Sequence, residues 1–224
     1  MLSRSPVDAK MGTALRIFLE SELPDLRPLI ERAFAGDRDA AAMLCFQAPN
    51  GQRGWIALAA YCLGTPNPGY RDIIRNVWDN DDGVLKQTVR TRQFIPRGAE
   101  RRELIRCMIA AGQFEHPFSG FLRIFRGVSG ISPRVGANGL SWTLSRDVAC
   151  WFACRLLPEE SRRLVLVADV HASDVIFWSN DRHEQEIVLK RRVRASIDSN
   201  PETWTLSANR HAPARSWPCN SALA

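Results

Sequence analysis

The apolar positions of this chain change period near its middle. Over Ala14–Phe18, Leu26–Phe34 and Asp39–Phe46, apolar residues recur three and four apart, the spacing that lines one face of an α-helix. Pro24, Gly36 and the Pro49-Asn50-Gly51 turn punctuate these segments. Trp55–Leu63 continues the pattern until Gly64-Thr65-Pro66-Asn67-Pro68-Gly69 breaks it. Tyr70–Trp78, Val84–Phe94 and Arg101–Ala111 predict three more amphipathic helices, the last with Leu104, Ile105, Met108 and Ile109 inward. No segment repeats another.

Beyond Pro117 the strand signals take over. Phe121–Val128 and Gly139–Leu144 read as strands, and Asp147–Leu157 returns to a helical pattern. Leu164–Val170, apolar but for Asp169, suits a central buried strand. Val175–Trp178 predicts a short strand, Glu186–Leu189 begins the next, and Thr203–Leu206 adds one more. From Ser207 onward Pro213, Pro218 and small polar residues predict a frayed tail. The expected architecture is α+β: a helical N-terminal lobe over 1–116, a small strand-rich core over 117–206 and a tail over 207–224.

Composition narrows this picture a little. At 224 residues, with 45% hydrophobic and 24% charged residues, the chain suits one or two globular domains. No apolar run approaches a membrane span, so no membrane partner is expected. Met1–Lys10 carries Arg4, Asp8 and Lys10 with no apolar stretch behind them, which predicts no secretory signal. The six cysteines include no CxxC pair. Cys150 and Cys154 lie one helical turn apart, which suits two small buried residues better than two zinc ligands. A reducing cytoplasm and no metal are therefore expected. The net charge of +6 admits an anionic partner. It is spread over Arg101-Arg102, Arg162-Arg163 and the 190–194 run, clusters that read as solvated faces, and no nucleic-acid-binding motif accompanies them.

Candidate chemistry lies in the second half. Arg126 sits inside an apolar strand segment, where an arginine needs an anionic partner, either a diphosphate gripped by its fork or a protein carboxylate. Gly127 beside it lets a ligand approach the backbone closely and is a candidate cofactor-binding position. Ser141 and Thr143 alternate with Trp142, so both hydroxyls share one strand face. They can hold a catalytic side chain and a ribose, or simply face solvent. Glu184 and Glu186 alternate about Gln185 in the same way, and two carboxylates so spaced can divide a reaction between them. His183 reads as an exposed loop histidine, and Trp178 and Asp181 as part of the loop leading to the glutamates. GxSxG, P-loop, GxGxxG and HExxH patterns are missing, which removes several other enzyme classes.

Taken in order, Arg126 in Ile124-Phe125-Arg126-Gly127-Val128, the Ser141-Trp142-Thr143 strand and Glu184-Gln185-Glu186 resemble the arginine–serine–glutamate branch of the ADP-ribosyltransferase superfamily, which includes bacterial binary toxins. The resemblance covers roughly Phe121–Lys190. It implies NAD as co-substrate, with its phosphates on Arg126 and its nicotinamide stacked on Phe152 of the following helix. It further implies that Glu186 bonds the nicotinamide-ribose hydroxyl, that Ser141 holds Glu186, and that Glu184 activates the acceptor. The chain departs from the family pattern at Trp142, which replaces a threonine, and at Thr143, which replaces a serine. The interval from Arg126 to Ser141 is also short, and no aromatic residue immediately precedes Glu184. The resemblance leads to an expected mono-ADP-ribosyltransferase of a bacterial or phage-related toxin, modifying protein arginine or RNA, with a neutralising antitoxin or immunity protein. An NAD glycohydrolase and a non-catalytic relative that mediates contacts are the alternatives.

Overall fold

The computed structural model describes residues 6–80, 105–111, 115–155, 162–180, 183–198 and 203–211. It is an α+β protein that divides into two compact units. One comprises residues 1–116 and 176–181, the other 117–175 and 182–224.

The first unit is helical. It holds α1 (Pro6–Glu22), α2 (Arg27–Phe34), α3 (Arg38–Gln47), α4 (Asn50–Leu63) and α5 (Gly69–Asn80), with a further helical stretch at 105–110. Local chemistry sets their ends. The Asp37 carboxylate caps α3 by accepting the Ala40 amide at 3.0 Å. That bond, then the Arg32 guanidinium beside it, holds the Asp37 carboxyl below its usual range. At the other end of α4, Gly64 takes the left-handed conformation (φ 83°) and donates to the Ala60 and Tyr61 carbonyls. Ile30, Leu44, Ile56, Ile73 and Ile74 are fully buried, as the three–four spacing requires. Tyr70 donates its hydroxyl to the Cys107 carbonyl at 2.9 Å, tying α5 to the 105–110 helix. The helix expected over Val84–Phe94 lies outside the described residues, as do Arg101-Arg102 and Cys219. Among the described residues no helix is long and apolar enough to cross a membrane.

The second unit carries most of a six-stranded sheet. Its strands are β1 (Phe121–Ser129), β2 (Ser141–Thr143), β3 (Arg163–His171), β4 (Val175–Ser179), β5 (Glu186–Leu189) and β6 (Ser196–Ile197), in the order β4-β5-β2-β1-β3-β6. A single helical turn, α6 (Pro133–Gly136), precedes β2, and α7 (Arg146–Arg155) follows it. Residues 176–181, most of β4, group with the helical unit, where the Phe177 ring lies 6.0 Å from Trp78.

β1 and β3 pair antiparallel along their full length, Phe121 opposite His171 through Ser129 opposite Arg163. Because paired residues share a face, this register sorts the side chains into two layers. Ile124, Val128, Trp142, Leu166, Ile187 and Leu189 form a core on one face. On the other, Val165 and Phe125 meet Ala149, Cys150 and Ala153 of α7 and Trp204 and Ala208 from the C-terminal segment. The first half of β3 is covered on both faces, which is why Leu164–Leu166 is apolar without alternation, while Asp169 and His171 further along are exposed.

That C-terminal segment departs from expectation. Thr203–Leu206 reads as a strand from its threonines and tryptophan, and Ser207 as the start of a tail. The structure instead has a helix, α8 (Trp204–His211), with Trp204, Ser207 and Ala208 buried. Their three–four spacing fits a helix docked on α7, and this packing overrides the local β preference of Thr-Trp-Thr.

Candidate active site

Three residues that lie far apart in sequence meet at β2. Arg126 projects from β1 and is buried, with 8% of its surface exposed. Its Nη1 donates to the main-chain carbonyl of Ser141. Ser141 in turn donates its hydroxyl to Oε1 of Glu186, the first residue of β5. Ser141 is thus held through its backbone on one side and holds a carboxylate with its side chain on the other.

The register shows how one residue serves both. Phe125 pairs with Thr143, so Arg126 falls on the face of Trp142. Thr143 pairs with Glu186 and Ser141 with Val188, which puts Ser141, Thr143 and Glu186 together on the opposite face. The candidate carboxylate and the candidate phosphate-binding arginine therefore belong to opposite faces of the sheet, with β2 between them. Glu186 is itself buried, at 9% exposure.

Two glycines shape this arrangement. A β-carbon on Gly139 would lie 2.2 Å from Cζ and 2.4 Å from Nε of Arg126, so the absent side chain is the space the guanidinium occupies. The Gly139 carbonyl accepts the Trp142 indole N–H at 3.2 Å, fixing the turn before β2. Sequence reasoning missed Gly139, for a glycine in a turn carries no mark of a side chain packed against it. Gly127 corrects a different expectation. A group does approach its backbone closely, but it is α7: a β-carbon there would meet the Ala149 carbonyl oxygen at 1.9 Å and the Ala153 nitrogen at 2.5 Å.

Thr143 takes a supporting part. It is buried, so the solvent-facing reading of the two hydroxyls fails. Its Oγ1 donates to the Glu184 carbonyl at 2.7 Å and accepts the Ser145 amide at 3.0 Å. The hydroxyl therefore clamps the chain that carries Glu184.

Glu184 itself is not on a strand. β5 begins at Glu186, and the preceding residues are bent, with His183 at φ 57° and Gln185 at φ 46°. Such left-handed non-glycine residues are uncommon and mark a locally constrained backbone. The regular alternation expected of Glu184-Gln185-Glu186 does not hold. The Gln185 carbonyl accepts the Leu144 amide at 3.2 Å, so the bend still pairs with the end of β2. His183 is exposed, as expected. Trp178 lies within β4 rather than in a loop, and Asp181 lies outside the described residues.

Phe152 lies on α7. Trp151 and Asp147 take the flank facing α8, through the His211 ring at 5.5 Å and Arg210 at 3.6 Å. Val148 and Phe152, four residues apart, share the flank turned away from α8. The Phe152 ring is half-buried and meets Trp151 edge-on at 5.0 Å. Cys150 packs against the sheet, and burial pushes its thiol up to about 11.

Arg146, at the start of α7, was not singled out by the sequence. It donates to Asp198 at 3.1 and 2.6 Å, to Ser207 at 3.0 Å and to Thr203 at 2.8 Å. Trp204 adds an indole N–H to the same Asp198 oxygen at 2.8 Å. This network fastens α8 onto α7. Comparison of the chain with protein-family models, with curated proteins and with solved structures finds no match.

Proposed function

We propose that this protein cleaves the nicotinamide–ribose bond of NAD and transfers the ADP-ribose to a macromolecular acceptor. What supports the reading is the convergence of Arg126, Ser141 and Glu186 on one strand, with the serine hydroxyl on the glutamate carboxylate. Each alone is a weak sign. The contact between Ser141 and Glu186 is the pairing the family resemblance requires of them.

In this reaction the bond from C1′ of the ribose to the pyridinium nitrogen breaks, and nicotinamide leaves with the electron pair. The ribose becomes oxocarbenium-like. A carboxylate fixed beside the ring stabilises that growing positive charge without having to reorganise. Glu186 fills this role, and Ser141 holds its orientation. The resemblance gives the diphosphate to Arg126; from the opposite face of the sheet its guanidinium serves here by holding the Ser141 carbonyl, and Phe152 offers the aromatic face for nicotinamide. The acceptor then attacks C1′ and gives up its proton, for which Glu184 is the candidate base. In biological setting we place the protein in the cytoplasm as a toxin of bacterial or phage origin, paired with a neutralising protein.

One observation favours a second reading. Glu184 stands in a bend ahead of β5 instead of beside Glu186 on the strand, so the residue expected to direct the acceptor is not registered with the sheet. Water then becomes the nucleophile, and the enzyme an NAD glycohydrolase. NAD turnover, followed as nicotinamide release with and without cell lysate, separates the two. Transfer gives labelled macromolecule and a lysate-dependent rate; hydrolysis gives free ADP-ribose at one rate throughout. For either chemistry, Glu186→Gln is expected to abolish nicotinamide release while NAD still raises the melting temperature. Full turnover by that variant would overturn both.

A further inference from the structure

A second concavity lies on the strand-rich unit and shares Arg146 and Asp198 with the network that fastens α8. The pairs Arg123–Asp169 and Phe125–Val167 share one face of β1 and β3. β6 extends this surface at the sheet edge, and Arg146 of α7 adds to its lining. The groove encloses about 720 Å³, and Arg126, Ser141, Glu184 and Glu186 are all outside its lining. Ligand sites typically measure roughly 300–1,000 Å³.

Its chemistry is specific. Phe125, Val167 and Ile197 give it an apolar floor, while Arg123, Arg146 and Arg194 stand against Asp169 and Asp198. Both carboxylates are already engaged: Asp169 accepts Arg123 at 3.0 and 3.1 Å, and Asp198 accepts Arg146 and Trp204. Arg194 makes no ion pair among the described residues, so three cations face two anions and the lining keeps one net positive charge. Arg192, two residues before it, is exposed and also has no ion pair among the described residues. Lys190 and Arg191 of the same basic run are instead directed to Asp174, at 3.8 and 3.3 Å. A guanidinium fork at the rim suits a phosphate, and an aromatic floor suits a flat base.

We propose that this groove binds single-stranded nucleic acid, with a phosphate on Arg194 and the neighbouring base over Phe125. An acidic peptide would meet the charge, and its apolar side chains the floor, but it lacks the pairing of a phosphate with a flat base one nucleotide apart. Binding here requires no NAD chemistry, so its failure leaves the reading of the Ser141–Glu186 site untouched, and loss of NAD turnover says nothing against the groove.

The test is fluorescence anisotropy of a short labelled single-stranded RNA with the full chain, over a salt series and without NAD. Wild type is expected to bind, with affinity falling as salt rises. Arg194→Gln should weaken binding about tenfold and lower the salt slope by about 0.7, the loss of one contact to a single strand. Arg194→Lys should keep the slope. Arg75→Gln, an exposed change in the helical unit, should alter neither. Matching thermal melts confirm that each variant is folded. No binding by wild type, an unchanged slope in Arg194→Gln, or displacement by NAD would overturn the proposal. So would displacement by polyglutamate as readily as by unlabelled RNA.

Discussion

Replacing Gly139 with alanine puts a methyl carbon 2.2 Å from Cζ, 2.4 Å from Nε and 2.5 Å from Nη2 of Arg126. The obstacle is the end of a long side chain, so the backbone can stay and the guanidinium must swing away. It then loses its bond to the Ser141 carbonyl, a hydrogen bond from a charged donor worth about 1.5–3 kcal/mol. In a chain of this size that lowers the melting temperature by about 3–12 °C, at about 2–4 °C per kcal/mol. The same methyl on Gly127 meets the Ala149 carbonyl oxygen at 1.9 Å, the Ala153 nitrogen at 2.5 Å and the Ala149 carbonyl carbon at 2.9 Å. All three are backbone atoms of α7, which can yield only by lifting off β1. That exceeds the roughly 1–3 kcal/mol usual for overpacking, and no cooperative melt of this unit is expected. Gly51→Ala is the control, since no atom lies within 4 Å of the place its methyl would take on α4. It should be neutral or stabilising by up to about 1 kcal/mol. Circular-dichroism melts with and without NAD read all three. Gly139→Ala is expected to fold and to lose the rise in melting temperature that NAD gives wild type. Wild-type melting and an intact NAD response in Gly139→Ala would refute the packing argument, as would a normal fold in Gly127→Ala.

Two further outcomes test other parts of the structure. Asp198→Asn removes the charge that Arg146 and Trp204 share, at a cost of about 2 kcal/mol for hydrogen bonds to a partly buried charged group. Amide exchange should quicken over Trp204–His211 while β1 and β3 stay protected; unchanged protection of α8 would show that apolar burial alone holds it. Burial pushes the Cys45 thiol from 9.0 up to about 12 and the Cys150 thiol to about 11. Unfolded thiols ionise near 9 while the folded ones stay neutral, so stability is complete below that pH and falls as pH rises toward 11–12. Denaturant melts above pH 9 should show a shallower fall in Cys45→Ala, and an equal slope would assign the loss to other groups.

Periodicity made most of the fold legible. The burial of Ile30, Leu44, Ile73 and Ile74 follows from apolar spacing, as does that of Leu164, Val165 and Leu166, but β3 lies next to the sheet edge with only β6 outside it, not at the centre its apolar run suggested. Where the pattern failed, tertiary contacts decide. Thr203–Leu206 has strand-favouring residues, yet Trp204, Ser207 and Ala208 bury against α7 as one helical face. β6 is two exposed residues held by pairing with Leu166 and Val167, and nothing in Ser196-Ile197 announces it. At the candidate site the sequence led to the contact of Ser141 with Glu186 but not to the backbone that carries Glu184. Glu184 and Glu186 look like strand neighbours because alternation was assumed, whereas positive φ at His183 and Gln185 leaves no mark in the residue pattern.

The position of Trp142, where the chain departs from the family pattern, has a physical consequence for the site. Side chains on a strand alternate, so a slip of β2 by one residue would exchange the two faces. The indole would then face Glu186, and the Ser141 hydroxyl would turn toward the apolar core. The indole is what opposes that slip. It is 2% exposed in the core with Ile124, Val128 and Ile187, and its N–H is bonded to the Gly139 carbonyl. Moving it to the other face would break that bond and expose a large apolar surface, whereas a threonine there would have little area to lose. Trp142 thereby fixes the register that presents the Ser141 carbonyl to Arg126 and the Ser141 hydroxyl to Glu186. Trp142 thus keeps the Arg126–Ser141 and Ser141–Glu186 bonds on their separate faces.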